Sequence, residues 1–410
     1  MNNKKRIAVI FGGQSTEHEV SRFSAQSVIT NLDKDKYNIT MIGITREGRW
    51  LRYNGPVEKI GSGEWEELAK SQRLQSAKGR RSLSDYYDDI PKTDLVDNTL
   101  DNTVEDMVDD GNFTDDNSSA RSILVAAWAG DMVDDKIDVI FPVLHGLNGE
   151  DGTIQGLFEL ADIPYVGCGV LGSAVGMDKA IAKIIFEKEG IPQGKYVAFN
   201  NSQFLAQPCK IIDVIEEKLG YPCFVKPCNS GSSVGVSKSQ NKEELLEAIN
   251  YAANFDRRIL VEEFINGREI ECAVLGNDVP EASTVGEVIP GNEFYDYDAK
   301  YGSESTSKIV IPADLPGETV EKIREYAIRA FKALDCAGLA RVDFFVHKIT
   351  GEIYINEVNT MPGFTKISMY PKLWEASGLP YNKLLEKLID LAVERYNEKE
   401  IIRKHQKGER

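Results

Sequence analysis

Short β-branched runs alternate with helically spaced stretches along most of the chain, as expected of buried strands covered by helices. Residues 6–11 (Arg-Ile-Ala-Val-Ile-Phe) form one such run, ended by Gly12-Gly13, and residues 19–32 carry apolar positions at helical spacing. Further strands are predicted at 37–45, 137–144 and 164–167, with a helix at 153–161. This alternation predicts a parallel α/β sheet. The texture changes at residue 178. A helix at 178–189 stops at Gly190-Ile191-Pro192, and strands at 196–199 and 223–226 flank a helix at 211–219. Strands at 269–275, 340–346 and 352–356 follow, and a helix at 381–396 leads into a charged tail at 398–410. No internal repeat is visible. The pattern divides the 410 residues into three pieces, 1–177, 178–268 and 269–410, in keeping with roughly 150 residues per domain.

One segment breaks the alternation. Residues 85–116 hold 12 acids and one base, Lys92, and so carry most of the chain's net charge of −17. Apolar residues there are too sparse for a core, which predicts a solvated surface insertion. Its Asp/Asn spacing lacks the turn Gly and closing Glu of a calcium loop. The acidic balance argues against general binding to nucleic acid or to an anionic membrane, since both need clustered Lys and Arg. Six cysteines form no CxxC pair and no Cys/His cluster, and read as reduced thiols, mostly in the core. The apolar run 7–11 is too short for a signal peptide, and no apolar run reaches membrane-spanning length. A cytoplasmic protein is expected.

Two motifs carry chemistry. The first is Lys226-Pro227-Cys228-Asn229-Ser230-Gly231-Ser232-Ser233-Val234-Gly235-Val236. A small-residue loop between glycines lets backbone N–H groups close on an anion, and the leading lysine adds charge. It is not a P-loop, and taken alone an ordinary turn fits it as well. The second pairs Arg341-Val342-Asp343-Phe344-Phe345 with Ile355-Asn356-Glu357-Val358-Asn359. Period-2 alternation puts Arg341 and Asp343 on one strand face, and Glu357 and Asn359 likewise. On adjacent strands these are hard oxygen ligands suited to Mg²⁺ on nucleotide phosphates, although the pattern alone also fits a solvated hairpin face.

These motifs resemble the ATP-grasp superfamily, and the chain as a whole is similar to the D-alanine–D-alanine ligases. The resemblance runs through Gly12-Gly13-Gln14-Ser15-Thr16-Glu17-His18-Glu19-Val20-Ser21, His145-Gly146 with Gly149-Glu150-Asp151-Gly152, and Gly176-Met177-Asp178-Lys179. It continues through the Lys226 loop, Tyr295-Asp296-Tyr297-Asp298-Ala299-Lys300-Tyr301, and Glu357-Val358-Asn359-Thr360-Met361-Pro362-Gly363-Phe364-Thr365. Six motifs in this order are highly specific. The long acidic insertion, Cys228-Asn229-Ser230 and Lys366 depart from the family pattern.

The resemblance implies an N-terminal α/β domain followed by two α+β domains clasping ATP, with an omega-loop lid at about 293–307. It implies that Lys179, Lys226 and Lys300 contact ATP, that Glu262 and Ile265 flank the adenine, and that Glu269 holds the ribose. Asp343, Glu357 and Asn359 would bind two Mg²⁺ ions, with Mn²⁺ as a substitute. Glu17 would take the ammonium of the first D-alanine, with Ser232 and Tyr301 joined to it to close the lid. Arg341 and the Gly363 N–H would form an oxyanion hole, with Ser368 and Met369 near the carboxylate of the second substrate. His145, at a strand end, reads as a substrate-positioning group, whereas His18, His347 and His405 read as surface residues. A homodimer is expected. The rival readings are a vancomycin-resistance type of ligase making D-Ala–D-Ser or D-Ala–D-lactate, and an idle nucleotide-binding scaffold. The intact set Lys179, Lys226, Arg341, Asp343, Glu357 and Asn359 disfavours the scaffold.

Overall fold

A computed structural model describes residues 4–78, 137–289, 291 and 308–406. The acidic segment 85–116 and the 293–307 lid, with Lys300 and Tyr301, lie outside the described residues.

The N-terminal part comprises β1 (Lys5–Gly12), α1 (His18–Asn31), β2 (Tyr37–Ile44), β3 (Trp50–Tyr53), α2 (Glu58–Ser62) and α3 (Trp65–Lys78), then β4 (Val139–Val143), α4 (Thr153–Ala161) and α5 (Val170–Met177). Its sheet runs β3-β2-β1-β4, with β1 parallel to β2 and β4 and with β3 antiparallel at the edge. Strand alternation sorts β1 between two cores. Ile7, Val9 and Phe11 pack with Ala25 and Val28 of α1, while Ala8 and Ile10 pack with Ile154 and Phe158 of α4. A strand covered on both faces must be apolar throughout, and that is why its sequence is a continuous run. The strand expected at 164–167 is a single bridge, Tyr165 to Ile140. Arg395 explains the interruption, because its guanidinium bonds the Gly167 and Tyr165 carbonyls and stacks on the Tyr165 ring.

The central part comprises α6 (Lys179–Lys188), β5 (Tyr196–Asn200), α7 (Asn201–Ala206), α8 (Pro208–Lys218), β6 (Cys223–Pro227), β7 (Ser237–Ser239), α9 (Lys242–Ala252) and β8 (Arg258–Glu263). Its antiparallel sheet, β5-β8-β6-β7, packs on α8 and α9 through Ile212, Ile215, Leu245 and Ile249. The C-terminal part comprises β9 (Gly267–Gly276), β10 (Glu281–Ile289), β11 (Lys308–Val310), α10 (Gly317–Ala333), β12 (Gly338–His347), β13 (Ile353–Asn359), α11 (Met369–Ala376) and α12 (Tyr381–Gln406). Its antiparallel sheet runs β11-β10-β9-β12-β13.

α12 corrects the expected boundary at residue 396. Its charged end stays helical because Lys399 and Arg403 pair with Glu159 and Asp162 at the end of α4. Its apolar side, Leu384, Leu385 and Leu388, closes the same core as Ile7 and Val9 of β1, so the first and last pieces of the chain share one interior. Among the described residues no helix is long and apolar enough to cross a membrane.

Candidate active site

A cleft opens where the three sheets meet. It holds a cavity of about 580 Å³ against the N-terminal part and one of about 370 Å³ between the central and C-terminal sheets. Lys179, Ser230, Ser232, Glu271 and Glu357 line both cavities.

Glu17 stands at the inner end of the larger cavity. It is the residue before α1 and is only 6% exposed. Its Oε1 accepts a hydrogen bond from the Ser232 hydroxyl. Ser232 and Ser233 both adopt the left-handed conformation (φ 49° and 59°), a strained turn that brings the hydroxyl to this carboxylate. Glu17 Oε2 is buried and has no hydrogen-bond partner among the described residues. A Cβ at Gly231 would lie 2.3 Å from that oxygen, and one at Gly146 would lie 2.7 Å from it. Glycine at both positions keeps the carboxylate open to a small cation.

The smaller cavity is organised by lysines. Asp178 caps α6 by accepting from the Ala180 and Ile181 N–H groups, which sets Lys179 at the helix start. Lys179 Nζ donates to the Ser230 carbonyl at 2.8 Å and lies 3.4 Å from Glu357, so it fastens the small-residue loop to the helix. Glu262 lies between Lys183 and Lys226, with 2.6 Å to each. Burial opposes its ionisation, but the two ammonium charges prevail and hold its pKa down at about 2. Burial likewise opposes the charge on Lys226, and the Glu262 and Glu357 carboxylates outweigh it, so its pKa rises. Ile265 and Glu269 line the same cavity.

The opposite wall is acidic. Strand register places Asp343 opposite both Glu357 and Glu271, and Arg341 opposite Asn359. Arg341 donates to both oxygens of Asp343 at 2.7 Å, and its Nε lies 3.0 Å from Glu271. Gly363, Ser368 and Met369 line the larger cavity beside this group. The donor set fits a divalent cation bound with a nucleotide. Two carboxylates and an amide, Asp343, Glu357 and Asn359, sit together, and the carboxylates already draw Arg341 and Lys179 to them. Among the described residues no three His, Cys, Asp or Glu side chains form a metal site by themselves. Phosphate oxygens would have to complete the coordination sphere.

Every expected site residue within the described range lies in the cleft. His145 is buried; its Nδ1 bonds the Met361 carbonyl at 2.8 Å, and burial lowers its pKa. His18 corrects the surface reading. It is 4% exposed, because the turn after β1 folds back and its Nδ1 meets the Gly13 carbonyl at 2.9 Å. His405 is exposed and His347 half-buried. Five cysteines are buried and Cys209 is exposed, and all six are free thiols.

Lys183, Glu271 and Glu150 were not assigned roles from the sequence. Lys183 follows Lys179 by one helical turn, and Glu271 follows Glu269 by one strand period. Both spacings share a face and could have revealed them. Glu150 accepts from the Gly146 and Met361 N–H groups at 2.8 and 3.2 Å. Burial and the nearby Glu17 charge push its pKa up to about 8.

Comparison with known proteins agrees with this geometry. Residues 6–168 match the family description "D-ala D-ala ligase N-terminus", and residues 185–390 match "D-ala D-ala ligase C-terminus". The D-alanine–D-alanine ligase of Acetivibrio thermocellus is 61% identical over 398 residues, covering 97% of this chain and 98% of the relative. That of Ruminiclostridium cellulolyticum is 62% identical over 397 residues, covering 97% of each. Among solved structures, the VanG D-Ala:D-Ser ligase from Enterococcus faecalis superposes with a TM-score of 0.74 at 39% identity, covering 95% of this chain and all of that one. The D-alanine–D-alanine ligase from Coxiella burnetii gives 0.72 at 34% identity, covering 98% of each chain. The two antiparallel sheets facing each other across the smaller cavity are the ATP-grasp arrangement. Matched end to end by both halves of one family, and with relatives at 61% and 62% identity along nearly their whole length, the chain belongs to the D-alanine–D-alanine ligase family.

Proposed function

We propose that the cleft joins two D-alanines into D-alanyl-D-alanine at the expense of ATP, supplying a cytoplasmic step in building peptidoglycan precursors. The observation that carries this reading is the open, buried oxygen of Glu17 between Gly146 and Gly231, a cradle for the ammonium of one amino acid. It faces into the same cavity as Lys179 and Arg341.

Joining two amino acids in water is uphill, so the carboxylate of the first is activated. With its ammonium on Glu17, that carboxylate attacks the γ-phosphorus of ATP and displaces ADP, which gives an acyl phosphate. Lys179 and Lys226 take up charge on the phosphate oxygens, and Glu262 and Lys183 hold Lys226 in place. Asp343, Glu357 and Asn359 would hold two Mg²⁺ ions, or Mn²⁺ in their place, and the metal supplies charge neutralisation on the transferring phosphoryl group. The amine of the second D-alanine, its carboxylate near Ser368 and Met369, then attacks the acyl carbon. Arg341 and the Gly363 N–H receive the negative charge that develops on the carbonyl oxygen; as the adduct collapses the acyl C–O bond breaks, phosphate leaves, and the proton of the attacking nitrogen passes to the phosphate or to water. Water would destroy the acyl phosphate, so Ser232 and Tyr301 would close the site, with Lys300 on the ATP. A homodimer is part of this proposal, and light scattering checks it.

Competition among D-alanine, D-serine and D-lactate as second substrate, followed by mass spectrometry from pH 6 to pH 9, tests the assignment. D-alanyl-D-alanine is expected to dominate and to increase with pH as the attacking amine loses its proton. Predominant depsipeptide at pH 6 to 7, or efficient use of D-serine, would transfer the chain to the resistance-type reading.

A further inference from the structure

The segment carrying Gly363 is held on both sides by residues of the N-terminal part. Before it, the Met361 carbonyl accepts from His145 Nδ1 at 2.8 Å, and the Met361 N–H donates to Glu150 Oε2 at 3.2 Å and to Asn359 Oδ1 at 3.1 Å. After it, the Phe364 N–H donates to Ser24 Oγ at 3.1 Å. Ser24 Oγ in turn lies 3.3 Å from His145 Nε2. Ser24 is fully buried on α1, and His145 is 3% exposed.

The direction of this chain follows from its end groups. A carbonyl can only accept, so His145 Nδ1 carries the hydrogen. In the neutral ring Nε2 is then an acceptor, and the Ser24 hydroxyl donates to it. Donation therefore runs from the Phe364 N–H to Ser24, from Ser24 to His145, and from His145 to the Met361 carbonyl. Ser24 and His145 each accept on one side and donate on the other, and the two ends of the chain bracket Gly363. Glycine has no side chain to fix its own backbone, so the direction of its N–H depends on what holds its neighbours.

We propose that Ser24 is a positioning residue which, through His145 and Phe364, aims the Gly363 N–H at the oxygen where charge develops in the second half-reaction. The inference rests on the reading of Gly363 as an oxyanion donor. Ser24 is not among the residues lining either cavity, and its hydrogen bonds among the described residues run to His145 and Phe364. Its loss should therefore spare the first half-reaction. A residue that merely filled the core would affect both halves through stability.

Rapid-quench measurement of ADP formation separates the two steps. In Ser24→Ala the pre-steady-state rate of ADP formation and the KM for ATP are expected to stay within twofold of the parent. Steady-state dipeptide formation should fall about tenfold, less than the loss of a whole oxyanion donor, because the N–H remains but is poorly aimed. Ser24→Thr, which keeps the hydroxyl, should recover most of the turnover. Ser24→Cys, of similar size but with a weak donor, should show the same split as Ser24→Ala and replaces it if the alanine variant does not fold. A parallel fall of ADP formation and turnover, or turnover equal to the parent, overturns the positioning role. A parent enzyme that forms neither ADP nor dipeptide from D-alanine overturns the ligase reading instead.

Discussion

At one end of the cleft a carboxylate, Glu262, sits between two lysines; at the other a guanidinium, Arg341, sits between two carboxylates. Both trios are largely buried, and their formal charges are opposite, with one cation in excess on the Glu262 side and one anion in excess on the Arg341 side. Burying ions is costly enough that such groups add little to stability on their own. Each trio is better understood as a pre-formed half of a ligand site. On the proposed function, ATP phosphates would add negative charge beside the cationic trio, and a metal ion would add positive charge beside the anionic one. Glu357 and Lys179, 3.4 Å apart, stand between them. On that proposal, phosphate and metal brought together there would offset both excess charges at once, a physical reason for a nucleotide to sit between the two sheets.

Removing the centre of the anionic trio should have the largest effect. Arg341→Ala is expected to lower turnover by about 10²–10³, the usual loss for one oxyanion donor, with a KM for ATP within a few-fold of the parent. Turnover close to the parent would mean that Arg341 only balances Asp343 and Glu271.

Removing the centre of the cationic trio should act on stability instead. Glu262→Gln leaves Lys183 and Lys226 buried without their shared carboxylate, a change that typically costs about 3–5 kcal/mol. Calorimetry at pH 7 should show a clear drop in melting temperature, and an unchanged value would break the parallel between the trios. The pH dependence sharpens it. Glu262 titrates near 2 in the folded protein against an ordinary 4.5, so its contribution is present in full above pH 4.5 and is lost as the pH falls towards 2. The stability gap between parent and Glu262→Gln should therefore narrow on acidification through that window. A gap that stays constant would show that the carboxylate is not held ionised by the lysines.

The smallest effect is expected from thinning the anionic trio. Glu271→Gln removes one negative charge but keeps the shape of the side chain, and cation affinity at such sites follows ligand charge. Mn²⁺ binding measured by electron paramagnetic resonance, with a non-hydrolysable ATP analogue present, should weaken by about threefold to tenfold. No change would mean that Asp343 and Glu357 alone determine the attraction.

The parts of this site that depend on local period are legible in the sequence. Arg341 and Asp343 share a strand face because strand side chains alternate, as do Glu357 and Asn359, and β1 was recognisable because a strand buried on both sides is apolar throughout. The trios themselves were less legible. Lys183 and Glu271 lie one period from recognised residues, but nothing in the sequence says that Lys183 meets Glu262 79 positions later. Ser24 gave no signal, since a serine on an amphipathic helix looks like any small residue until Phe364 is packed against it. His18 misled because its neighbours Glu17 and Glu19 are polar, and only the turn after β1 buries it. The charged end of α12 read as a tail because its partners on α4 lie some 240 positions away. The acidic segment 85–116, Lys300 and Tyr301 lie outside the described residues, and their roles rest on the sequence.

The central claim is that the first carboxylate is activated by phosphorylation between the two trios. D-Alanine labelled with ¹⁸O in both carboxylate oxygens tests it directly. If the carboxylate attacks ATP and the amine later displaces phosphate, one labelled oxygen passes from D-alanine to inorganic phosphate for every dipeptide formed. Mass spectrometry of the phosphate should then show one ¹⁸O per turnover. Unlabelled phosphate accompanying dipeptide would contradict an acyl-phosphate route, and with it the role assigned to the paired trios.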